Sequence, residues 1–318
     1  MNTISRRTVS VLTMAVAIGT GVLSAPRAAA QSAALAQKAF ASPEEAVQAL
    51  RAAVKVHDKA ALQDIFGPEV HELLTGDERQ DKANSQKFAE AMEEGAKSVS
   101  EGDAKVILEI GDNKWPFPIP LVKENSMWRF DTAAGKEEII NRHIGKDELH
   151  AIGVCKTYVQ AQKQYAGAAR DSSQAGKYAL RFKSSPGKMD GLYWKTGPSQ
   201  VTSPFGARVA EVGVDGAHGP APKPFHGYFF RILTRQGAVA AGGEMDYLKD
   251  GSLTGGFALA AYPERWGRSG IMTFIVNQEG KIYQRDLGAK TSQVAAAMAE
   301  YNPDGDWTPV KDQGVIEK

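Results

Sequence analysis

Histidine is the side chain best suited to acid–base chemistry or to metal ligation near neutral pH. The sequence contains six histidines, at positions 57, 71, 143, 150, 218 and 226. His218 and His226 have no cysteine nearby, and Asp215 is the only acidic residue close to them. Histidine ligands of zinc usually follow one another at shorter spacing. The spacing of this pair therefore argues against a metal site.

His143 and His150 form the second pair, seven positions apart. We expect Gly145 to break the helix between them, because glycine is a poor helix former. Both histidines are then interpreted as solvent-exposed or capping residues. Taken together, the six histidines predict neither a metal site nor a cofactor site.

One acidic segment resembles a calcium loop but is incomplete. Asn302, Asp304 and Asp306 have the spacing of the first three ligands. Trp307 stands where such a loop requires glycine, and Gln313 stands where it requires glutamate. The segment is therefore predicted to form an ordinary turn.

Sequence signatures of catalysis are also incomplete. Ser269 lacks the glycine that a nucleophile elbow requires two positions further on, and it precedes a predicted strand. The sequence has neither a Walker loop nor a dinucleotide-binding fingerprint. A cell-envelope hydrolase remains an alternative, with His226, Asp190 and Glu244 as its candidate catalytic groups. These groups would have to lie within hydrogen-bond reach.

Aromatic residues give the stronger functional signal. Tyr193 and Trp194 lie in a segment rich in glycine and proline, residues 184–226, and Trp266 follows a proline-containing strand end. Tryptophan and tyrosine commonly anchor binding partners, and loops of this composition seldom bury deeply. We predict that these three residues form a partner-binding site. The expected partner is another exported protein or a cell-envelope polymer.

The first thirty residues have the layout of a secretory signal peptide. They contain no acidic residue, and Arg6 and Arg7 precede an apolar stretch at 9–25. Ala28 and Ala30 form an A-x-A cleavage site. The stretch is interrupted by Ser, Thr and Gly and is shorter than a comfortable membrane span. We predict export by the Sec or the twin-arginine route, a periplasmic or secreted location, and no membrane span after cleavage.

Composition and charge argue against a disordered, collagenous or polytopic membrane protein and against a nucleic-acid-binding protein. The 42% of apolar and 24% of charged residues are ordinary globular values. Without the three arginines of the predicted signal peptide, the chain has 35 basic and 37 acidic residues. It contains no run of Lys or Arg of the kind that marks a nucleic-acid interface. The only cysteine, Cys155, lies in an apolar helical run. We expect it to be a buried core residue and not a nucleophile.

The order of elements predicts an α+β protein with two small domains, each made of helices and an antiparallel sheet. A signal peptide (1–30) and a flexible leader (31–41) precede an N-terminal domain at 42–147 and a C-terminal domain at 148–318. The elements predicted for the first half are a helix from Ser42, helices at about 59–66, 81–98 and 133–142, and strands at 104–110, 117–122 and 127–131. Those predicted for the second half are helices at 148–169 and 291–300 and strands at 228–234, 256–262, 271–277 and 281–286.

Distinctive segments are spread along the whole mature chain. They are Trp115–Val122, Trp128–Gly135, Asn141–Gly145, Asp190–Trp194, Phe225–Arg231, Gly255–Leu259 and Ser269–Val276. In this combination they resemble a bacterial family of exported proteins catalogued as domain of unknown function 2950. The resemblance implies an export signal and an uncharacterised role, and it supplies no catalytic residues.

The second half also resembles the soluble head of a type IV pilin. The shared features are a helix containing Ala151 and Tyr165, an irregular loop, and an antiparallel sheet with a hairpin near Gly280. The long apolar helix that packs a pilus core has no counterpart here. A pilin-like assembly subunit is therefore a further alternative, while a non-enzymatic binding or interaction module is the preferred function.

Overall fold

The computed structural model describes residues 37–73, 78–167, 176–195, 202–205 and 223–311. The predicted signal peptide, residues 31–36 of the predicted leader and much of the predicted 184–226 loop lie outside these ranges. His218 also lies outside them.

The N-terminal part begins with three helices: α1 (Pro43–Lys55), α2 (Lys59–Phe66) and α3 (Glu78–Glu94). The predicted start of α1 is confirmed, because Ser42 Oγ accepts a hydrogen bond from the Glu45 amide at 3.2 Å. The Glu45 carboxylate in turn accepts from the amide of Ala41 at 2.9 Å. These bonds satisfy amides that a helix N-terminus leaves without an intrahelical partner.

A first antiparallel sheet follows these helices. Its strands are β1 (Ala96–Ser100), β2 (Lys105–Ile110), β3 (Trp115–Pro116), β4 (Leu121–Glu124) and β5 (Met127–Phe130). They lie in the order β1-β2-β4-β5, with β3 also pairing with β2. The β4–β5 hairpin turns at Asn125 and Ser126, both in the left-handed region.

Two predictions in this part are wrong in detail. The predicted helix at 81–98 ends earlier, and its last residues belong to β1, where Ala96 pairs with Ile110. Pairing with a buried strand outweighs local helix propensity there. Of the predicted strand 117–122, only its last two residues pair, because the prolines before them cannot donate ladder hydrogen bonds.

The first core lies between α1, α2 and this sheet. Trp128 is 9% exposed and Phe130 is fully buried. Phe130 packs edge-on against Phe66, with ring centroids 5.2 Å apart. Such edge-to-face pairs add stability beyond that of area burial alone.

A single helix, α4 (Thr132–Gly167), replaces the two helices predicted at 133–142 and 148–169. Its 36 residues span about 54 Å at 1.5 Å per residue. The expected break at Gly145 does not occur. A helical glycine costs only about 1 kcal/mol, and Ile144 and Asp147 are buried on either side of it. Helix α4 runs through residue 147, where the two predicted domains meet, and the division into domains stays a prediction.

In the described part of the second half, α4 is followed by ten strands and one α-helix. They are β6 (Tyr228–Leu233), β7 (Arg235–Gln236), β8 (Met245–Asp246), β9 (Leu248–Lys249), β10 (Ser252–Leu253), β11 (Ala258–Pro263), β12 (Met272–Asn277), β13 (Ile282–Asp286), α5 (Thr291–Ala297), β14 (Glu300–Tyr301) and β15 (Thr308–Pro309). The main sheet is antiparallel, in the order β15-β13-β12-β11-β6. The predicted hairpin of β12 and β13 is confirmed, with Val276 opposite Ile282.

This sheet is buried on both faces. One face packs on α4 through a core that includes Tyr158, Phe230 and Phe274, and the other packs on a cluster that includes Tyr301 and Trp307. All six residues of β11, an inner strand of this sheet, are therefore buried. The structure confirms the predicted α+β class. In the described ranges, no helix combines the length and the apolar character needed to cross a membrane.

Cys155 lies in the core between α4 and the sheet, with no exposed surface. Burial raises the pKa of its thiol to about 12. The thiolate is the nucleophilic form of cysteine, so this residue is a packing residue, as expected.

Two of the four glycines of α4, Gly135 and Gly145, give opposite predictions. A Cβ on Gly135 would lie 2.9 Å from Cβ and 3.1 Å from Cα of Ile119, whereas nothing lies within 4 Å of one on Gly145. We expect Gly135→Ala to lower the free energy of unfolding by about 1–3 kcal/mol through overpacking. Gly145→Ala should raise it by up to about 1 kcal/mol. Urea unfolding measures both, and a destabilising Gly145→Ala would contradict a continuous helix.

Candidate functional site

Two of the three predicted partner-binding residues, Tyr193 and Trp194, line a surface cavity of about 510 Å³. The cavity, here called the basic pocket, is formed by residues 181–195. Its other lining residues include four cationic side chains, those of Arg181, Lys183, Lys188 and Lys195. All four are exposed.

Backbone hydrogen bonds hold the two sides of the basic pocket together. The amide of Ser184 donates to the carbonyl of Tyr193, and the amide of Tyr193 donates to the carbonyl of Phe182, each at 2.8 Å. Gly191 makes this approach possible, since a Cβ there would lie 2.7 Å from the carbonyl carbon of Lys183. Only glycine fits between two backbones this close.

The turn at the tip of the basic pocket depends on Asp190. Its carboxylate accepts hydrogen bonds from the amide of Ser185 at 2.7 Å and from the Ser185 hydroxyl at 2.9 Å. The guanidinium of Arg181 lies 3.9 Å away. Burial, the largest single influence, raises the pKa of Asp190, but these hydrogen bonds and the charge of Arg181 together lower it below its usual value. Asp190 is therefore a structural anion.

The floor of the basic pocket belongs to the protein core. Trp194 is only 6% exposed, and Leu192 and Phe205 are fully buried beside it. The Phe205 amide donates to the Leu192 carbonyl at 3.1 Å, and Tyr165 of α4 donates from its hydroxyl to the Met189 carbonyl at 3.0 Å. The cationic side chains thus project from a rigid base, and Trp194 lines the cavity from below.

Trp266 lies elsewhere, in the turn between β11 and β12. It is 39% exposed, and its indole N–H donates to the carboxylate of Asp286 at 2.8 Å. The structure therefore brings Tyr193 and Trp194 together, but Trp266 is not among the residues that line their pocket.

The three candidate catalytic residues of the hydrolase alternative do not contact one another either. Within the described residues, no hydrogen bond or ion pair joins His226, Asp190 and Glu244. Asp190 binds Ser185, and the ring of His226 stacks on that of His150. Glu244 is exposed beside β8.

A comparison of the sequence with protein-family models identifies a family that matches most of the chain. The family described as "Protein of unknown function (DUF2950)" matches residues 37–310. This range is most of the 318-residue chain. The chain belongs to the DUF2950 family. No curated protein and no solved structure gives a significant match, and the resemblance to a type IV pilin head stays a prediction.

The DUF2950 description states no activity, so function has to be argued from the structure. Two of the segments that carry the family resemblance take part in distinct sites. Asp190–Trp194 contributes Tyr193 and Trp194 to the lining of the basic pocket. Phe225–Arg231 begins beside α4 and supplies His226 to a second cluster of polar side chains.

That second cluster is the group in the described part of this DUF2950 chain that could hold a metal ion. It consists of Asp147, His150 and His226, and one ligand atom from each lies within 4.8 Å of the others. Sequence reasoning missed it because Gly145 was expected to break the helix. The sequence did contain a signal for it, because positions 143, 147 and 150 have the spacing i, i+4 and i+7 and therefore lie on one face of a continuous helix.

The calcium-like segment is a turn, as predicted. The amide of Asp306 donates to the Asp304 carboxylate at 3.0 Å. Arg285 lies between the two carboxylates, 3.7 Å from that of Asp304 and 2.7 Å from that of Asp306. A guanidinium therefore compensates the charges that would otherwise attract a cation.

The turn at Asp190 leads to a pH-dependent prediction. A carboxyl whose folded pKa is lowered adds stability above its unfolded pKa, about 3.9, and that stability is lost as the pH falls through the folded pKa. Asp190→Asn should therefore cost about 1–2 kcal/mol of unfolding free energy at pH 7. The difference in unfolding free energy between this variant and the wild type should become smaller below about pH 4.

Urea unfolding at a series of pH values tests this prediction. The matched control is Asp103→Asn, because Asp103 is exposed and its carboxylate makes no hydrogen bond or ion pair within the described residues. A loss of stability that is equal in the two variants, or that does not change with pH, would contradict the assigned role of Asp190.

Proposed function

We propose that this protein is an exported, non-enzymatic binding module of the cell envelope, and that its basic pocket binds an anionic polymer of the envelope. The observation that carries the proposal is the set of four exposed cations around a rigid aromatic floor. The carboxylate of Asp190, which lies in the same turn as Ser185, is already engaged by Ser185 and Arg181. The pocket therefore has an excess of positive charge toward solvent.

The size and the exposure of the basic pocket favour a polymer as the ligand. A volume of about 510 Å³ falls within the usual range of ligand sites, roughly 300–1,000 Å³. An exposed ion pair contributes only about 0–1 kcal/mol, so a single small anion would bind weakly. A chain that carries repeated carboxylate or phosphate groups engages several cations together and gains effective concentration.

Tyr193 adds an uncharged contact surface. It is half-buried at the edge of the basic pocket, which leaves part of an amphipathic ring available to a ligand. Lysines alone would bind any polyanion, whereas a ring beside them favours a polymer with a flat, partly apolar repeating unit, such as a sugar. The proposed ligand is therefore an anionic polysaccharide.

Binding to model polymers tests the proposal. We expect the mature chain to bind polygalacturonate in preference to neutral dextran, with an affinity that falls as salt rises, because exposed charges are screened. The double variant Lys183→Gln/Lys188→Gln should bind about five- to tenfold more weakly, since it loses two exposed ion pairs. Tyr193→Ala should weaken binding with little change in melting temperature. Trp194 is unsuitable for this test, because its burial makes any truncation destabilising.

The matched control is Lys97→Gln/Lys249→Gln, which removes two exposed lysines outside the basic pocket. It should bind as the wild type does. Polyphosphate, which has charge but no sugar ring, separates the contribution of the cations from that of the Tyr193 ring. Tyr193→Ala should leave the binding of polyphosphate unchanged. Equal binding of dextran, or equal loss in the control variant, would refute the proposal.

The location is tested in the native host. We expect cell fractionation to find the chain outside the cytoplasm, and N-terminal sequencing to start at Gln31. Replacing Arg6 and Arg7 by lysine distinguishes the routes, since the twin-arginine route reads that pair directly. An unprocessed chain recovered from the cytoplasm of the wild-type strain would contradict export.

A further inference from the structure

We propose that Asp147, His150 and His226, with His143 beside them, form a binding site for a divalent transition-metal ion such as Zn²⁺. The ion would link helix α4 to the segment that leads into β6. This function is separate from polymer binding, because the residues do not belong to the basic pocket.

Helix α4 supplies three of the four side chains from one face. Asp147 and His150 are one turn apart, and His143 lies one turn before Asp147. The imidazole Nε2 of His143 is 3.1 Å from the Asp147 carboxylate. The His143 side chain is 62% exposed and that of Asp147 only 5%, so the carboxylate forms the inner wall of the site and His143 its solvent side.

His226 comes from a different element. A tight turn, in which Phe225 and Tyr228 exchange backbone hydrogen bonds at 2.8 and 3.1 Å, carries it to the surface of α4. Its backbone has φ 45°, a conformation that is unfavourable for a residue with a side chain. Strain of this kind persists only where the surrounding structure over-determines it, and here it aims the imidazole at the ring of His150.

The residue after His226 must be glycine. A Cβ on Gly227 would lie 2.6 Å from the Asp147 carboxylate and 2.7 Å from Cβ of Ser269. Glycine thus lets the backbone close over the carboxylate. The other side of the site is fixed by Glu148, whose carboxylate accepts hydrogen bonds from the amides of Ile271 and Met272 at 2.9 and 3.0 Å. Both elements that carry ligands are therefore anchored to the same sheet.

The separations suit an ion of this class. Metal–ligand distances of about 2.0–2.2 Å in a tetrahedral site place the ligand atoms roughly 3.3 Å apart. The three ligand atoms here lie within 4.8 Å of one another, and the imidazoles of His150 and His226 stack with centroids 4.0 Å apart. Reaching tetrahedral spacing therefore requires these separations to shorten by at most about 1.5 Å.

The chemistry of the side chains favours ligation as well. The Nδ1 atom of His150 is buried and has no hydrogen-bond partner, which is costly for a polar atom. The Asp147 side chain is only 5% exposed, and a bound cation would offset the cost of that buried carboxylate.

The donor set identifies the class of ion. Ca²⁺ and Mg²⁺ take oxygen ligands almost exclusively, whereas imidazoles suit Zn²⁺, Cu²⁺, Ni²⁺ and iron. Two or three imidazoles and one carboxylate therefore select a transition metal. Zn²⁺ is the natural probe, because it accepts four-coordinate geometry and has no redox chemistry.

Isothermal titration of the EDTA-treated, untagged mature chain with Zn²⁺ tests the site. We expect one ion per chain, and an increase in the unfolding temperature on addition of Zn²⁺, because the ion binds the folded state. His226→Asn should weaken binding at least about tenfold, since loss of even an outer-shell partner of a metal site costs that much. Asp147→Asn should do the same.

The chain offers a close control for His226→Asn. His57 is also an exposed histidine with a positive φ, 53°, and asparagine tolerates that conformation in both places. His57→Asn should bind Zn²⁺ as the wild type does. Because His226 is exposed, its replacement is not expected to unfold the protein, and circular dichroism without metal checks both variants. A wild type that binds no Zn²⁺, or a His226→Asn variant that binds it undiminished, would overturn the proposal.

Discussion

The packing of helix α4 against both halves of the structure is the constraint on which the rest of the structure depends. Its first turns meet the segment that joins β3 to β4, where Gly135 allows Ile119 to approach the helix backbone. Its later turns carry Tyr158 and Tyr165 into the second core. Burial along both parts outweighs the weak propensity of the glycines between them. If the helix broke at Gly145, His143 and His150 would lose their common face.

Elements with strong local signals could be predicted from the sequence. Ser42, Pro43 and Glu45 fix the start of α1, and the turn at Asn125 and Ser126 fixes the β4–β5 hairpin, because each depends on neighbours within a few residues. The burial of Cys155 was likewise readable from its apolar helical surroundings. The C-terminal end of α3 could not be predicted from the sequence, because the pairing of β1 with β2 is a long-range contact that overrides local preference.

The candidate sites were predictable to different degrees. Tyr193 and Trp194 are adjacent in the chain, so their joint position in one pocket follows from the sequence. The cations around them do not, because Arg181 joins the pocket only through the pairing of its segment with residues 191–195. His226 is 76 positions from His150 in the chain. Sequence alone gives no reason to join them, and only the docking of β6 beside α4 brings the two rings together.

The basic pocket and the histidine cluster both contact helix α4, but different interactions hold each of them in place. Tyr165, which holds the tip of the basic pocket, is 18 residues beyond Asp147, or about 27 Å along the helix. The basic pocket is fixed by its own backbone pairing and by the core beneath it, so it needs no ion to keep its shape. The histidine cluster is different, because His226 reaches it on a strained turn. A bound ion would hold that turn against α4, as a cross-link between distant residues does. Because a rigid helix has no second arrangement through which to transmit a change, metal binding and polymer binding should be energetically independent of each other.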